Sequence, residues 1–334
     1  MRKLTWLLIT LTILWSGGWF WGSSKVREGI DQWFAAQTAQ GYIAQNAGFS
    51  VLGYPNRLDV TLDAPKFADP STGFGWEGQF LQIFTMTWKP WHIIAALPPQ
   101  QTIRTPYQDI GITATSLRAS ARALPQMILP LDEAILEGTT IEATSSQGWT
   151  VGLGSLLLAI RSDQTGTNAY DVAFVGTELE PDKAFLAALS TDAGLPSRIS
   201  SLRADLKARL SAPLDRSAPD TNPRVTSLDV NEIAVTWGDL TVFAKGKIEP
   251  DAAGYAAGKV DIAVTNWQRL VPILIAAGVV KPEVAPTVSN MLKAMAEQNG
   301  SPFVLELPLT LASGRMSLGP LPLGPAPQLA PVTN

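Results

Sequence analysis

Ser201-Leu202-Arg203-Ala204-Asp205-Leu206-Lys207-Ala208-Arg209-Leu210-Ser211-Ala212-Pro213-Leu214-Asp215 is the longest period-two run in the chain. Leu202, Ala204, Leu206, Ala208, Leu210, Ala212 and Leu214 fall on one side. Arg203, Asp205, Lys207 and Arg209 fall on the other. The leucines also recur every four residues, which suits a basic amphipathic helix lying on a membrane surface. The strand accounts for all seven apolar positions, so the run predicts a strand with a solvated charged face. Its apolar face then needs a cover: a core, a partner or a ligand.

The same alternation recurs on either side. Residues 135–190 hold three strand-like runs with Gly148-Trp149 at a turn. An acidic helix start follows at Glu178-Leu179-Glu180-Pro181-Asp182. Residues 225–278 hold three more, with Trp237-Gly238 at the corresponding place, then Asn266 and an apolar helix. A β-β-β-α-β unit used twice fits this order, with generic antiparallel structure carrying inserted helices as the alternative. Leu270–Val280 is apolar but short and contains Pro272, a core or interfacial helix rather than a span. Pro282 and Glu283 suit a first helical turn, Val284, Val288, Met291, Leu292 and Met295 form a stripe, and Asn299-Gly300 closes it. Earlier in the chain, Arg57–Asp63 alternates as a half-buried strand behind the turn signal Gly53-Tyr54-Pro55. Residues 25–40 read as a helix through Val26, Ile30, Trp33 and Phe34, stopped by Gly41. The proline-rich end, Gly319–Pro327, predicts polyproline II.

The N-terminus carries the strongest localisation signal. Arg2-Lys3 precede eighteen uncharged residues, Leu4 to Trp21, a run of roughly 27 Å as a helix, enough for a bilayer core. Leu4, Trp6, Leu7, Leu8, Ile9, Leu11, Ile13, Leu14, Trp15, Trp19, Phe20 and Trp21 are its apolar lining. The basic pair predicts a cytoplasmic N-terminus, and the aromatic crowd at the far end suits the headgroup region. An uncleaved anchor fits the long run and its aromatic end. Gly22-Ser23-Ser24 as a signal cleavage site is the alternative. The expected layout is an anchor at 1–24, a β-rich half at 25–216 and a second at 224–334. The joint is expected in the polar stretch Ser217–Pro223. The expected fold class is α+β: mostly antiparallel curved sheets in two related halves, a few packed helices and one N-terminal transmembrane helix.

Composition narrows the chemistry. The formal net charge is −4 without a basic stripe, which argues against nucleic acid. The absence of cysteine removes disulfides, thiol catalysis and cysteine metal sites. His92 is the only histidine, in the aromatic corner Trp88-Lys89-Pro90-Trp91-His92. A lone histidine needs a nucleophile and an orienting group to act as a base, and neither G-x-S-x-G nor S-x-x-K occurs. Glu178, Glu180 and Asp182 lack calcium-loop spacing and suit a helix start. Gly152-Leu153-Gly154 is too short for a phosphate loop. A carboxylate pair for hydrolysis is a minor alternative. The expectation is a non-enzymatic protein with no catalytic residue, cofactor or metal.

Several strings together carry a resemblance. Gly53-Tyr54-Pro55-Asn56-Arg57-Leu58-Asp59 resembles a G-[FY]-P-x-R-L-D motif. Trp237-Gly238-Asp239-Leu240 with Gly246, Gly254, Gly258 and Asn266-Trp267 resembles a W-G-x-L…G…G-x-x-x-G…N-W block. With the ending Leu318-Gly319-Pro320 and Pro325-Ala326-Pro327, and with the anchor, they resemble the alphaproteobacterial family of domain of unknown function 2125. That resemblance implies an inner-membrane protein of unknown activity and supplies no catalytic residues. The rhythm from Gly254 to Val264 is also similar to repeats of AsmA-like envelope proteins, which carry an apolar groove on a curved sheet. The expected role is a single-pass inner-membrane protein, its bulk periplasmic, binding a lipid or apolar ligand. A scaffold for other envelope proteins is the alternative.

Overall fold

The computed structural model describes residues 2–189, 194–298, 301–319 and 321–329. The expected helix stop at Asn299-Gly300 lies outside them, as do Met1 and Pro320. The chain is mostly antiparallel sheet with few helices, and it divides into two units. Unit 1 is Met1–Pro125 with Leu136–Gly148; unit 2 is Gln126–Ile135 with Trp149–Asn334. The expected joint at Ser217–Pro223 is corrected: that stretch lies inside unit 2, and the strands on either side of it pair with each other.

Unit 1 begins with α1 (Arg2–Ala39), one continuous helix; the expected anchor and the expected helix at 25–40 are its two ends. Nine strands follow: β1 (Ile43–Gln45), β2 (Gly48–Leu52), β3 (Arg57–Asp63), β4 (Lys66–Asp69), β5 (Phe74–Gly78), β6 (Phe80–Met86), β7 (Lys89–Ala96), β8 (Gln100–Arg104) and β9 (Asp109–Ala123). They form a meander of long strands broken midway. β2 and β1 pair with β3 and β4; β3 and β4 with β6 and β5; β6 and β5 with β7 and β8. Both β7 and β8 pair with β9. The ladder continues across the breaks through Ala47 N–H to Asp63 O at 2.8 Å and Ala64 N–H to Gln79 O at 2.9 Å. The C-terminal part of α1 lays Val26, Ile30 and Phe34 on buried Val51, Val60 and Leu62. Each buried side chain of this kind stabilises by about 1.5–3 kcal/mol, so this half of the helix belongs to the core of unit 1. Its N-terminal half does not: of the twelve apolar residues expected to line a span, all but Trp19 are exposed.

β10 (Leu131–Ser145) is divided between the units, and unit 2 continues as a meander. Its members are β11 (Thr150–Asp163), β12 (Ala169–Leu179), β13 (Ile199–Leu210), β14 (Val225–Trp237), β15 (Leu240–Pro250), β16 (Ala256–Thr265), β17 (Val304–Ala312), β18 (Arg315–Leu318) and β19 (Leu321–Pro325). Each is antiparallel to the next. The opening run is thus a strand, ending at Leu210. Helix α2 (Lys183–Ala188) follows β12, α3 (Ala218–Thr221) follows β13, and α4 (Leu270–Ala276) and α5 (Ala285–Gln298) follow β16. The order strand-strand-strand-helix-strand therefore occurs twice. Of the two readings of Leu270–Val280, core or interfacial helix, α4 follows the first: Val271, Ile273 and Ile275 join the cluster of Val264, Leu292, Leu305 and Leu307. Of the expected stripe, Val284 falls in the 3-10 turn Pro282–Val284 ahead of α5 and is exposed. The tail is corrected too: Leu321–Pro325 pairs with β18 as an edge strand, where proline's missing N–H is tolerated.

Candidate functional site

Two regions stand out, one in each unit. In unit 1 the turn Gly53–Asn56 joins β2 to β3 and meets α1. Gly53 takes φ +101, and a Cβ there would press on the Arg57 carbonyl, which is why glycine sits there. Arg57 N–H closes the turn on Gly53 O at 2.8 Å. The turn's carbonyls are partnered by the helix: Trp15 Nε1–H donates to Pro55 O at 3.0 Å and Trp19 Nε1–H to Arg57 O at 2.7 Å. Ser16 and Tyr54 share a hydroxyl hydrogen bond of 2.7 Å, and the Tyr54 ring stacks on Phe20 at 5.6 Å. The Arg57 guanidinium holds Asp59 at 2.7 Å, while the other Asp59 oxygen is buried with no hydrogen-bond partner. A cavity of about 320 Å³ opens beside this joint between Leu14, Trp15, Gly18 and Trp21 of the helix and Pro55 and Leu58.

In unit 2 the register lines up an apolar face across seven strands. Leu158, Phe174, Ala204, Ile233, Ala244, Ile262 and Leu307 form one rung. Leu156, Gly176, Leu202, Val235, Val242, Val264 and Leu305 form the rung before it. Ile160, Val172, Leu206, Val230, Gly246, Val260 and Leu309 form the rung after. Over β15–β17, helices α4 and α5 cover this face, with Leu292 and Ala296 fully buried. Over β11–β13, Leu156, Leu158, Ile160, Val172, Phe174, Leu202, Ala204 and Leu206 are only half-buried. This part extends about 13 Å along the strands and roughly 10 Å across them. The opposite face carries cross-strand ion pairs: Lys207 with Asp163 at 2.8 Å and Asp171 at 3.5 Å, and Arg209 with Asp229 at 3.1 Å. Hydrogen bonds from Lys207 and Thr165 pull the Asp163 carboxyl far below its ordinary range, and Asp163 raises Lys207 in return.

The second motif block is architectural. Trp237 is buried, donates Nε1–H to Pro196 O at 2.7 Å and stacks on Phe185. Asp239 receives Arg269 Nε and a terminal nitrogen at 3.2 and 3.0 Å, which lowers its carboxyl pKa. Its carbonyl takes Asn266 Nδ2–H at 2.7 Å. Trp267, also buried, bonds Pro302 O at 3.1 Å. Gly246 and Gly258 sit where β15 and β16 pair so closely that a Cβ would strike the backbone of Lys259 and Lys247 respectively, and Gly254 shapes the turn between them. The block thus ties the α2 and α4 connections to one end of the sheet.

The remaining candidates are dispersed. His92 lies in β7, half-buried, in a cavity of about 350 Å³ with Arg57, Phe84, Thr85, Met86 and Ile94, none of them a carboxylate. Asp182 caps α2 through Ala184 N–H at 2.8 Å and takes Thr150 N–H at 3.0 Å; these backbone bonds lower its pKa. Glu178 and Glu180 face Arg198. Among the described residues no three His, Asp or Glu side chains gather as a metal site would require. Gly152 and Gly154 lie inside β11. The docking of Trp15 and Trp19 onto the Tyr54 turn has no signal in the sequence, where both read only as lipid-facing aromatics. The spread of half-buried apolar rungs is equally invisible there, because the alternation gives one strand's faces and not the register between strands.

Fold and site together define a class: a mostly antiparallel β protein carried on an N-terminal helix long and apolar enough to cross a membrane. Within that class the chain belongs to a bacterial family described as "Uncharacterized protein conserved in bacteria (DUF2125)", matched over residues 19–327. Comparison with curated proteins and with solved structures gave no match.

Proposed function

We propose that this is a non-enzymatic protein of the bacterial inner membrane, single-pass, with its bulk in the periplasm, that holds a lipid acyl chain on the apolar sheet face of unit 2. The observation that carries the proposal is the half-buried face over β11–β13, continuous with the helix-covered face over β15–β17. Such a face costs free energy in water at about 25 cal/mol per Å² of apolar surface, a cost that an apolar occupant would remove. Val230, Ala244 and Val260 are buried in a cluster drawn from strands alone, which supports a concave curve of the sheet. The twice-repeated element order supports two related halves, to be decided by superposing them with Trp149 and Trp237 as equivalent positions. These features are also those expected of an AsmA-like groove, an analogy of fold only.

An uncleaved anchor is supported by the joint with the turn. Removing residues 1–24 would strip Pro55, Tyr54 and Arg57 of their partners Trp15, Ser16 and Trp19. The scaffold reading draws on α4 and α5, which cover part of the face already. The test is mass spectrometry of lipid retained by the full chain after exhaustive detergent exchange, compared with a Leu158→Gln/Phe174→Gln variant. Near-stoichiometric lipid lost in the variant supports the acyl-chain site. Equal retention in both, with a reproducible protein partner, supports the scaffold.

A further inference from the structure

The turns of unit 1 fall at two ends of its meander. At one end lie the Gly53–Asn56 turn and the Thr87-Trp88 turn between β6 and β7, since Arg57 pairs with Met86. The two turns are fastened together: the Thr87 amide and hydroxyl both donate to Asn56 O, at 3.0 and 3.1 Å. At the other end lie the 70–73 and 105–108 turns, where Gly73 approaches Pro106. β9 runs between the ends, from Asp109 beside the Tyr107 turn to Arg122 opposite His92. At the strand rise this separates the ends by about 40 Å.

Among the described residues, hydrogen bonds fix the first end to the apolar part of α1. The carbonyls of this end accept hydrogen bonds from Trp15 and Trp19, in the second half of the Leu4–Trp21 run. At about 1.5 Å per residue, Trp15 stands roughly 9 Å and Trp19 roughly 3 Å inside the end of that run, in the outer part of the acyl layer beneath the headgroups. An indole N–H at that depth needs a protein acceptor, and Pro55 supplies it. The surface around this joint has the composition that such a depth favours. Tyr54 and Trp88 are 50% and 52% exposed, Ile93 and Ile94 are exposed, and Lys89 projects from the turn with no ion-pair partner among the described residues.

We propose that this end of unit 1 is seated in the outer part of the exported leaflet, with Tyr54 just beneath the lipid carbonyls, Trp88 at their level and Lys89 against lipid phosphate. This rests on α1 spanning the bilayer. Aromatic rings with one polar edge are placed at that level, and a lysine reaches outward from it. The occupant of the patch is lipid because the hydrogen bonds join the patch to the spanning segment itself. The same bonds, with the continuous helix, hold the sheet at a fixed height, so the anchor is a mount rather than a flexible tether.

The absence of cysteine makes the test direct. Single variants Leu8→Cys, Trp88→Cys and Tyr107→Cys of the full chain are nitroxide-labelled and reconstituted in vesicles of phosphatidylethanolamine and phosphatidylglycerol. Collision with oxygen is compared with collision with a water-soluble nickel chelate. Labels at 8 and 88 should favour oxygen, with the ratio at 88 several-fold above that at 107. If position 8 is lipid-exposed while 88 matches 107, the seating is wrong and the anchor stands. If position 88 is shielded from both reagents, protein rather than lipid covers the patch, and the proposal fails. If position 8 is aqueous, the anchor reading falls and takes the seating with it. Lys89→Cys gives the same reading should the Trp88 variant not fold.

Discussion

Removing a large side chain from the covered part of the unit 2 face should cost far more than removing one from the open part. Leu292 of α5 is 1% exposed and sits among Val264, Trp267, Leu305 and Leu307. Leu292→Ala loses the transfer energy of the side chain and leaves an enclosed cavity, about 2–5 kcal/mol together. Phe174 of β12 occupies the same face but is only half-buried. Phe174→Ala opens a gap that solvent enters, so only part of the transfer energy is lost, about 1–2 kcal/mol. Urea unfolding followed by tryptophan fluorescence reads both, since Trp237 and Trp267 lie in unit 2 and are buried. The midpoint should fall by roughly 1–2 M for Leu292→Ala and by about half a molar for Phe174→Ala, at an unchanged slope. Equal losses would mean that β12 backs onto a closed core, and the argument for an open apolar face would be refuted.

Other outcomes follow from single features. Trp19→Phe keeps a ring but removes the 2.7 Å bond to Arg57 O; a loss of about 1 kcal/mol should speed amide exchange in the Gly53–Arg57 turn five- to tenfold. Gly246→Ala drives a Cβ into the β16 backbone at Lys259 and Val260, so thermal unfolding should show a loss of about 3 kcal/mol, the upper end for overpacking. Asp163, Asp182 and Asp239 all have lowered pKa values. Stability linked to them is fully present above the ordinary carboxylate value of about 4 and is lost as pH falls through the lower folded-state values. Melting temperature should therefore decline with acid below about pH 4, and the decline should be shallower in Asp239→Asn. A reporter active only in the periplasm, fused after Asn334, should be active; activity only of a cytoplasmic reporter would reverse the topology.

Much of the architecture was legible because period-two alternation is a local signal. Arg57–Asp63 is a strand with the expected bounds, and Leu202 to Leu210 present one apolar face as read. The Gly41 stop follows from its left-handed φ of +91, which the sequence signals through residue type alone. What failed was non-local. Ser217–Pro223 looks like a linker because its residues favour turns, yet whether a turn joins or separates units depends on the pairing of β13 with β14. The tail looked unpaired because prolines interrupt ladders, but at a sheet edge only one side of each residue must bond. Trp15 and Trp19 have the composition of lipid-facing residues. Their carbonyl partners are 38 to 40 residues away, and no spacing rule reports them.

The most direct test of the acyl-chain site is photo-crosslinking from defined positions on the two faces of β12 and β13. A benzophenone amino acid is placed at Phe174 or Leu206 on the apolar face, or at Arg203 or Asp205 on the charged face, in the full chain in its native membrane. Covalent phospholipid adducts from 174 and 206, and none from 203 or 205, are the predicted result. Adducts absent from the apolar positions, or formed equally from both faces, would contradict the account.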